Sequence, residues 1–81
     1  MKENKEEILK FIQEVVSEIV GRRITNITGE TTADDVEGWD SLSHVQIIHR
    51  CEQKIDKRFT LEEISNLKSV LDLVNVIEKY T

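Results

Sequence analysis

Gly38-Trp39-Asp40-Ser41-Leu42 places one serine hydroxyl where an acidic, irregular segment gives way to an amphipathic helix. Glu30, Asp34, Asp35 and Glu37 precede it, while Leu42, Val45, Ile48 and Ile55 follow at near-helical spacing, with Ile47 and Cys51 one turn apart beside them. A hydroxyl at such a junction is exposed and held by a rigid element. It lies beside a helix N-terminus, where unpaired backbone N–H groups and the macrodipole favour negative charge. The position suits a phosphate-linked substituent. Nucleophilic catalysis by Ser41 is a poor alternative: there is no Gly-x-Ser-x-Gly elbow, and no acid is set to orient His44 three residues on. His44 and His49 are five apart rather than the three or four that puts two ligands on one helix face, so no metal site is expected. Both histidines read as solvated surface residues that tune partner choice, with pH sensing or contact with a substituent on Ser41 as the alternative for His44. Cys51 reads as a buried, inert thiol, since no histidine is placed to activate it. Trp39 is expected to pack over the loop and fix the chain's approach to the helix.

Four helices must position this junction. Ile8, Leu9, Ile12, Val15, Val16 and Ile19 form one apolar stripe, predicting a first helix from about Lys5 to Val20. Glu3, Glu6 and Glu7 suit its positive end, Gly21 is a plausible stop, and Arg22 and Arg23 add positive charge beyond it. From Arg22 to Asp40 periodicity fails, and Ile24, Ile27 and Val36 read as isolated anchors pinning a long, partly packed loop. Asp40 is the expected N-cap of a second helix reaching about Ile55, with Ser41 at its first position. Thr60-x-x-Glu63 is a capping box for a short third element that offers Ile64 and Leu67 for burial. Ser69-x-x-Asp72 opens a fourth helix whose stripe is Val70, Leu73, Val74 and Ile77, extended by Tyr80. The expected fold is all-α: a small four-helix bundle of three principal helices and a short one, with a long loop between helices one and two.

Bulk properties narrow the function. A chain of 81 residues reads as one domain, 1–81, and at this size only about 60–65% of the unfolded surface is buried. An internal cleft that encloses a substrate and a catalytic group is hard to build in it, so an enzyme is not expected. Hydrophobic residues make up 38% and charged residues 33%, with no proline, which suits a helical globular domain. The net charge of −5 opposes nucleic-acid binding through phosphate contacts. The charge is uneven: Arg22 and Arg23 stand against Glu30, Asp34, Asp35, Glu37 and Asp40 before the serine, whereas Arg50, Lys54, Lys57 and Arg58 outnumber Glu52 and Asp56 after it. A single cysteine points to a reducing compartment. No stretch approaches the ~18 apolar residues of a membrane span, and the first residues lack the apolar core of a signal peptide. A cytoplasmic monomer without membrane insertion is expected.

Asp40-Ser41-Leu42 at a helix start resembles the attachment motif of acyl carrier proteins. The resemblance runs along Gly38-Trp39-Asp40-Ser41-Leu42-Ser43-His44-Val45-Gln46-Ile47-Ile48, to Ile55, and on through Phe59-Thr60-Leu61-Glu62-Glu63-Ile64. It implies that Ser41 receives phosphopantetheine from coenzyme A through a separate, magnesium-using phosphopantetheinyl transferase. The arm's thiol would then carry acyl groups as thioesters between loading and accepting enzymes. By the same resemblance Asp40 contributes to transferase recognition and Leu42 to the surface that partner enzymes read. Fatty-acid carriers usually have a strongly acidic second helix, whereas here Glu52 is its only acid after Asp40, alongside His44, His49, Arg50 and Lys54. Peptidyl carriers usually show a Gly-His-Ser-Leu-like motif, so Trp39 and Asp40 favour the acyl branch. The expectation is a carrier for a specialised lipid, polyketide or related biosynthetic pathway. The rival from another class is an unmodified helical adaptor that binds partners through its second helix.

Overall fold

The computed structural model describes residues 3–81. Helix α1 spans Lys5–Val20, α2 Ser41–Ile55, α3 Leu61–Ser65 and α4 Val70–Lys79, and the described residues contain no strand. The all-helical expectation holds. α1 begins at Asn4, whose side chain accepts from Glu7 N–H at 2.8 Å while Glu7 accepts from Asn4 N–H at 3.3 Å, a reciprocal cap. It stops at Gly21, whose φ of 80° lies in the left-handed region that glycine enters without a Cβ penalty. Ile8, Ile12, Val15 and Val16 are its buried residues, and α1 packs against both α2 and α4.

The connection from α1 to α2 is anchored throughout. Ile24, Ile27, Val36 and Trp39 are all buried, so the expected anchors are real and Trp39 joins them. Ser17 supports the turn, its hydroxyl accepting from Ile24 N–H at 2.9 Å. Two loop carbonyls cap α4: Thr31 O accepts from Val70 N–H at 2.8 Å and Gly29 O from Leu71 N–H at 2.9 Å. Ala33–Asp35 form a 3-10 turn that the sequence pattern did not reveal, closed by Asp35 accepting from Thr32 N–H at 2.9 Å. Arg22, read as a charge for the end of α1, instead donates to the Glu37 carbonyl and ties the end of the loop to its beginning. Gly38 follows with φ of 95°, and a Cβ there would meet Val20 Cβ at 3.3 Å. The loop thus passes against the end of α1 at the residue just before Trp39.

α2 departs from its predicted face. Ile47, Ile48, Cys51 and Ile55 are buried, but Leu42 and Val45, read as the start of the same stripe, are 69% and 63% exposed. The two sets lie on adjacent faces, and α1 covers only one of them. α3 has its Thr60/Glu63 box, with Glu63 N–H donating to Thr60 Oγ1 at 3.0 Å and Thr60 N–H to Glu63 at 2.9 Å. Ile64 and Leu67 pack against the core while remaining partly exposed. At α4, Asp72 accepts from Lys68 N–H at 2.8 Å and Ser69 N–H at 2.9 Å. Tyr80 donates its hydroxyl to Glu63 at 3.0 Å, linking the end of α4 to α3. Among the described residues no helix is long and apolar enough to cross a membrane.

Candidate functional site

Ser41 is the first residue of α2 and is exposed. Its hydroxyl makes no hydrogen bond among the described residues. The adjoining groups are held by the cap: Asp40 accepts from Ser43 N–H at 2.9 Å, and the Ser43 hydroxyl donates back to the Gly38 carbonyl at 2.8 Å. The bond from Ser43 N–H, foremost, keeps the Asp40 carboxyl below the usual carboxylate range. Because the folded pKa is the lower one, the cap's contribution is present above the unfolded value of about 3.9 and is lost as pH falls through and below it. Asp40→Ala is expected to lower Tm by about 4–8 °C at neutral pH, the loss of an ordinary cap in a domain of this size. Asp40→Asn keeps an uncharged acceptor, so its melting temperature should fall less steeply with acid than that of the wild type; thermal melts across pH decide both.

Beside Ser41 lies an open hollow of about 360 Å³ between the 3-10 turn (Ala33, Asp34), Trp39, His44 and Leu67. The same side chains border a narrower slot of about 40 Å³ that runs on to Ser69, Val70 and Leu73. Its size admits about three waters, so it receives no more than the tip of a ligand unless the core opens. Trp39 and His44 line both the hollow and the slot. The Trp39 indole N–H donates to His44 Nδ1 at 3.1 Å, with the rings tilted by 31° and their centroids 6.1 Å apart. His44 is therefore half-buried rather than the solvated residue expected from the sequence, and burial holds its pKa below the usual histidine range. His49 is the exposed member of the pair, its Nδ1 4.0 Å from Glu52. Among the described residues no group of histidine, cysteine and carboxylate side chains could hold a metal ion.

Cys51 is fully buried, as its position beside Ile47 suggested, and burial pushes its thiol up to about 12. Thiolate is then scarce at neutral pH. Native apo protein is expected to resist iodoacetamide at pH ~7.5, with one alkylation appearing only after denaturation; rapid labelling of the folded protein would show the core to be open.

A flexible phosphodiester-linked chain fits this place. The Ser41 oxygen is free to be esterified, its side is open to solvent, and an adjoining hollow gives a linear substituent somewhere to lie. The carboxylates of Asp34 and Asp40 oppose a phosphate, but both are exposed to water, whose high dielectric weakens the repulsion. Residues 10–77 match the family model described as a phosphopantetheine attachment site. The chain is 35% identical over 78 residues to an acyl carrier protein of Acidothermus cellulolyticus, covering 96% of this chain and 93% of that one. It is 36% identical over 74 residues to an acyl carrier protein of an Exiguobacterium species, covering 91% and 94% of the two chains. The solution structure of a holo acyl carrier protein from Geobacter metallireducens superposes with a TM-score of 0.80 at 32% identity, covering 90% of this chain and 84% of that chain. The chain belongs to the acyl carrier protein family, defined by its phosphopantetheine attachment domain. It is a carrier and not an enzyme, and its prosthetic group is a covalently attached phosphopantetheine. Members of the family work with a phosphopantetheinyl transferase and with acyl-handling enzymes.

Proposed function

We propose that Ser41 is the attachment point and that residues 1–81 act as one carrier domain, holding acyl intermediates for a specialised lipid, polyketide or related biosynthetic pathway. The observation that carries this reading is an exposed, unbonded serine hydroxyl at the first position of α2, facing open space, in a chain of this family. When bound, the arm supplies a terminal thiol on which an acyl group travels as a thioester. This chain's own residues fix where the arm begins. The cap at Asp40 and the Trp39 anchor orient the start of α2, and the helix N-terminus favours the phosphodiester's charge.

Asp40 and Leu42 are assigned to partner recognition, Asp40 toward the transferase and Leu42 toward the acyl-loading and acyl-accepting enzymes. Leu42 is exposed at the head of an outward face that continues through Val45, Gln46 and His49. That face carries no carboxylate. The single acid within α2, Glu52, is turned inward with its side chain 15% exposed and accepts from Phe59 N–H at 2.8 Å. A surface of this kind suits partners other than those that grip an acidic helix, which supports the specialised pathway. A cytoplasmic site of action is part of the same reading. The test is to incubate the protein with coenzyme A, magnesium and a promiscuous phosphopantetheinyl transferase and record its intact mass. A gain of one phosphopantetheine is expected; no gain under conditions that modify a control carrier would favour the unmodified adaptor.

A further inference from the structure

We propose that His44 is a positioning residue for the arm: with Nδ1 occupied by the Trp39 indole, its Nε2–H donates to a phosphate oxygen of the group on Ser41 and holds the arm's first atoms against the hollow. The inference rests on the carrier reading of Ser41. Three observations carry it. The tryptophan N–H is only ever a donor, so the ring nitrogen that receives it, at 3.1 Å, must be unprotonated. Neutral His44 is thereby fixed as the tautomer with its proton on Nε2. Among the described residues that N–H has no acceptor, and its nitrogen keeps exposure to solvent, so it is free to meet a group on the helix surface. Finally, His44 and Ser41 border the same hollow, and their i, i+3 spacing puts the two Cβ atoms about 5–6 Å apart. That distance reaches a phosphate on Oγ rather than the far end of a long arm.

The charges bordering the hollow are Asp34 on the 3-10 turn and Asp40 at the start of α2, while Lys68, on the segment before α4, borders the narrower slot that His44 also lines. Burial opposes protonation of His44. A phosphodiester adds a further anion at closer range. Protonation would remove the acceptor for the Trp39 indole, so the two rings report on each other.

The test follows the His44 and His49 ring resonances and the arm's phosphorus signal by NMR, in protein whose mass shows it to be apo or fully modified. Modification is expected to raise the His44 pKa by about one pH unit, with the phosphorus signal titrating at the same midpoint and His49 unmoved. In modified His44→Leu the phosphorus signal should lose that titration and sharpen as the arm is released, while His44→Gln, which keeps a donor, should restore much of the broadening. A Trp39→Phe variant should retain the contact only weakly, with both imidazole tautomers populated. An unchanged His44 pKa on modification, together with a phosphorus signal indifferent to His44→Leu, would overturn the inference and leave the carrier reading standing. Failure to gain mass at all would remove both.

Discussion

Ser41→Ala is expected to abolish phosphopantetheine attachment outright while leaving the fold essentially untouched. Both halves follow from the geometry. The Ser41 hydroxyl makes no hydrogen bond among the described residues, and the capping of α2 is done by the Asp40 carboxylate on Ser43 N–H. Removing an exposed, unbonded oxygen should shift stability by no more than about 0.5 kcal/mol, the range of surface changes that touch nothing special. Intact mass after treatment with coenzyme A and transferase reads the first half, and thermal melting the second. The opposite pattern, in which modification persists and the protein is destabilised, would mean that Ser43 or another hydroxyl is the attachment point and that Ser41 is part of the cap.

The second large effect concerns the side of α2 that faces inward. Ile47→Ala should cost about 2–5 kcal/mol, because the side chain is fully buried and its removal leaves a cavity in the layer between α1 and α2. Against a total of about 5–15 kcal/mol for a typical domain, that is a large share. Urea unfolding should show a lower midpoint with an unchanged slope. Val45→Ala, two residues earlier and 63% exposed, should stay within about 0.5 kcal/mol of wild type. Equal losses for the two variants would restore the register that the sequence spacing suggested and displace the one described above.

That register marks the limit of what the amino-acid pattern makes legible. Helix α1 is plain from Ile8, Ile12, Val15 and Val16, since a single stripe with polar flanks admits one buried face. Asp40 as cap, the Thr60/Glu63 box and Gly21 as a stop are equally local, each a matter of one side chain and a backbone group within a few residues. In α2, by contrast, apolar residues occupy two neighbouring faces, and periodicity alone does not say which of them another helix will cover. Leu42 and Val45 stay exposed because α1 meets the Ile47, Ile48 and Cys51 side. The 3-10 turn at Ala33–Asp35 escaped notice because three residues carry no periodic signal, although Thr32-x-x-Asp35 has the spacing of a short cap.

Trp39 and His44 show the same limit at the site itself. Their hydrogen bond joins a loop residue to a helix residue five positions on, across the cap, and neither helix nor strand spacing relates them. Burial of the indole supplies the missing reason: its N–H, placed under the loop, needs an acceptor, and His44 is the side chain within reach. Asp40 as cap and Ser41 as first residue of α2 are legible in the sequence because each depends on position along the helix rather than on what lies opposite.

The most direct measurement is tandem fragmentation of the modified protein, with the phosphopantetheine-bearing peptide sequenced to the residue. The group is expected on Ser41 alone, with Ser43 and the loop threonines unmodified. A prosthetic group mapped to any other side chain, or a protein that stays unmodified where a control carrier is fully converted, would contradict that assignment.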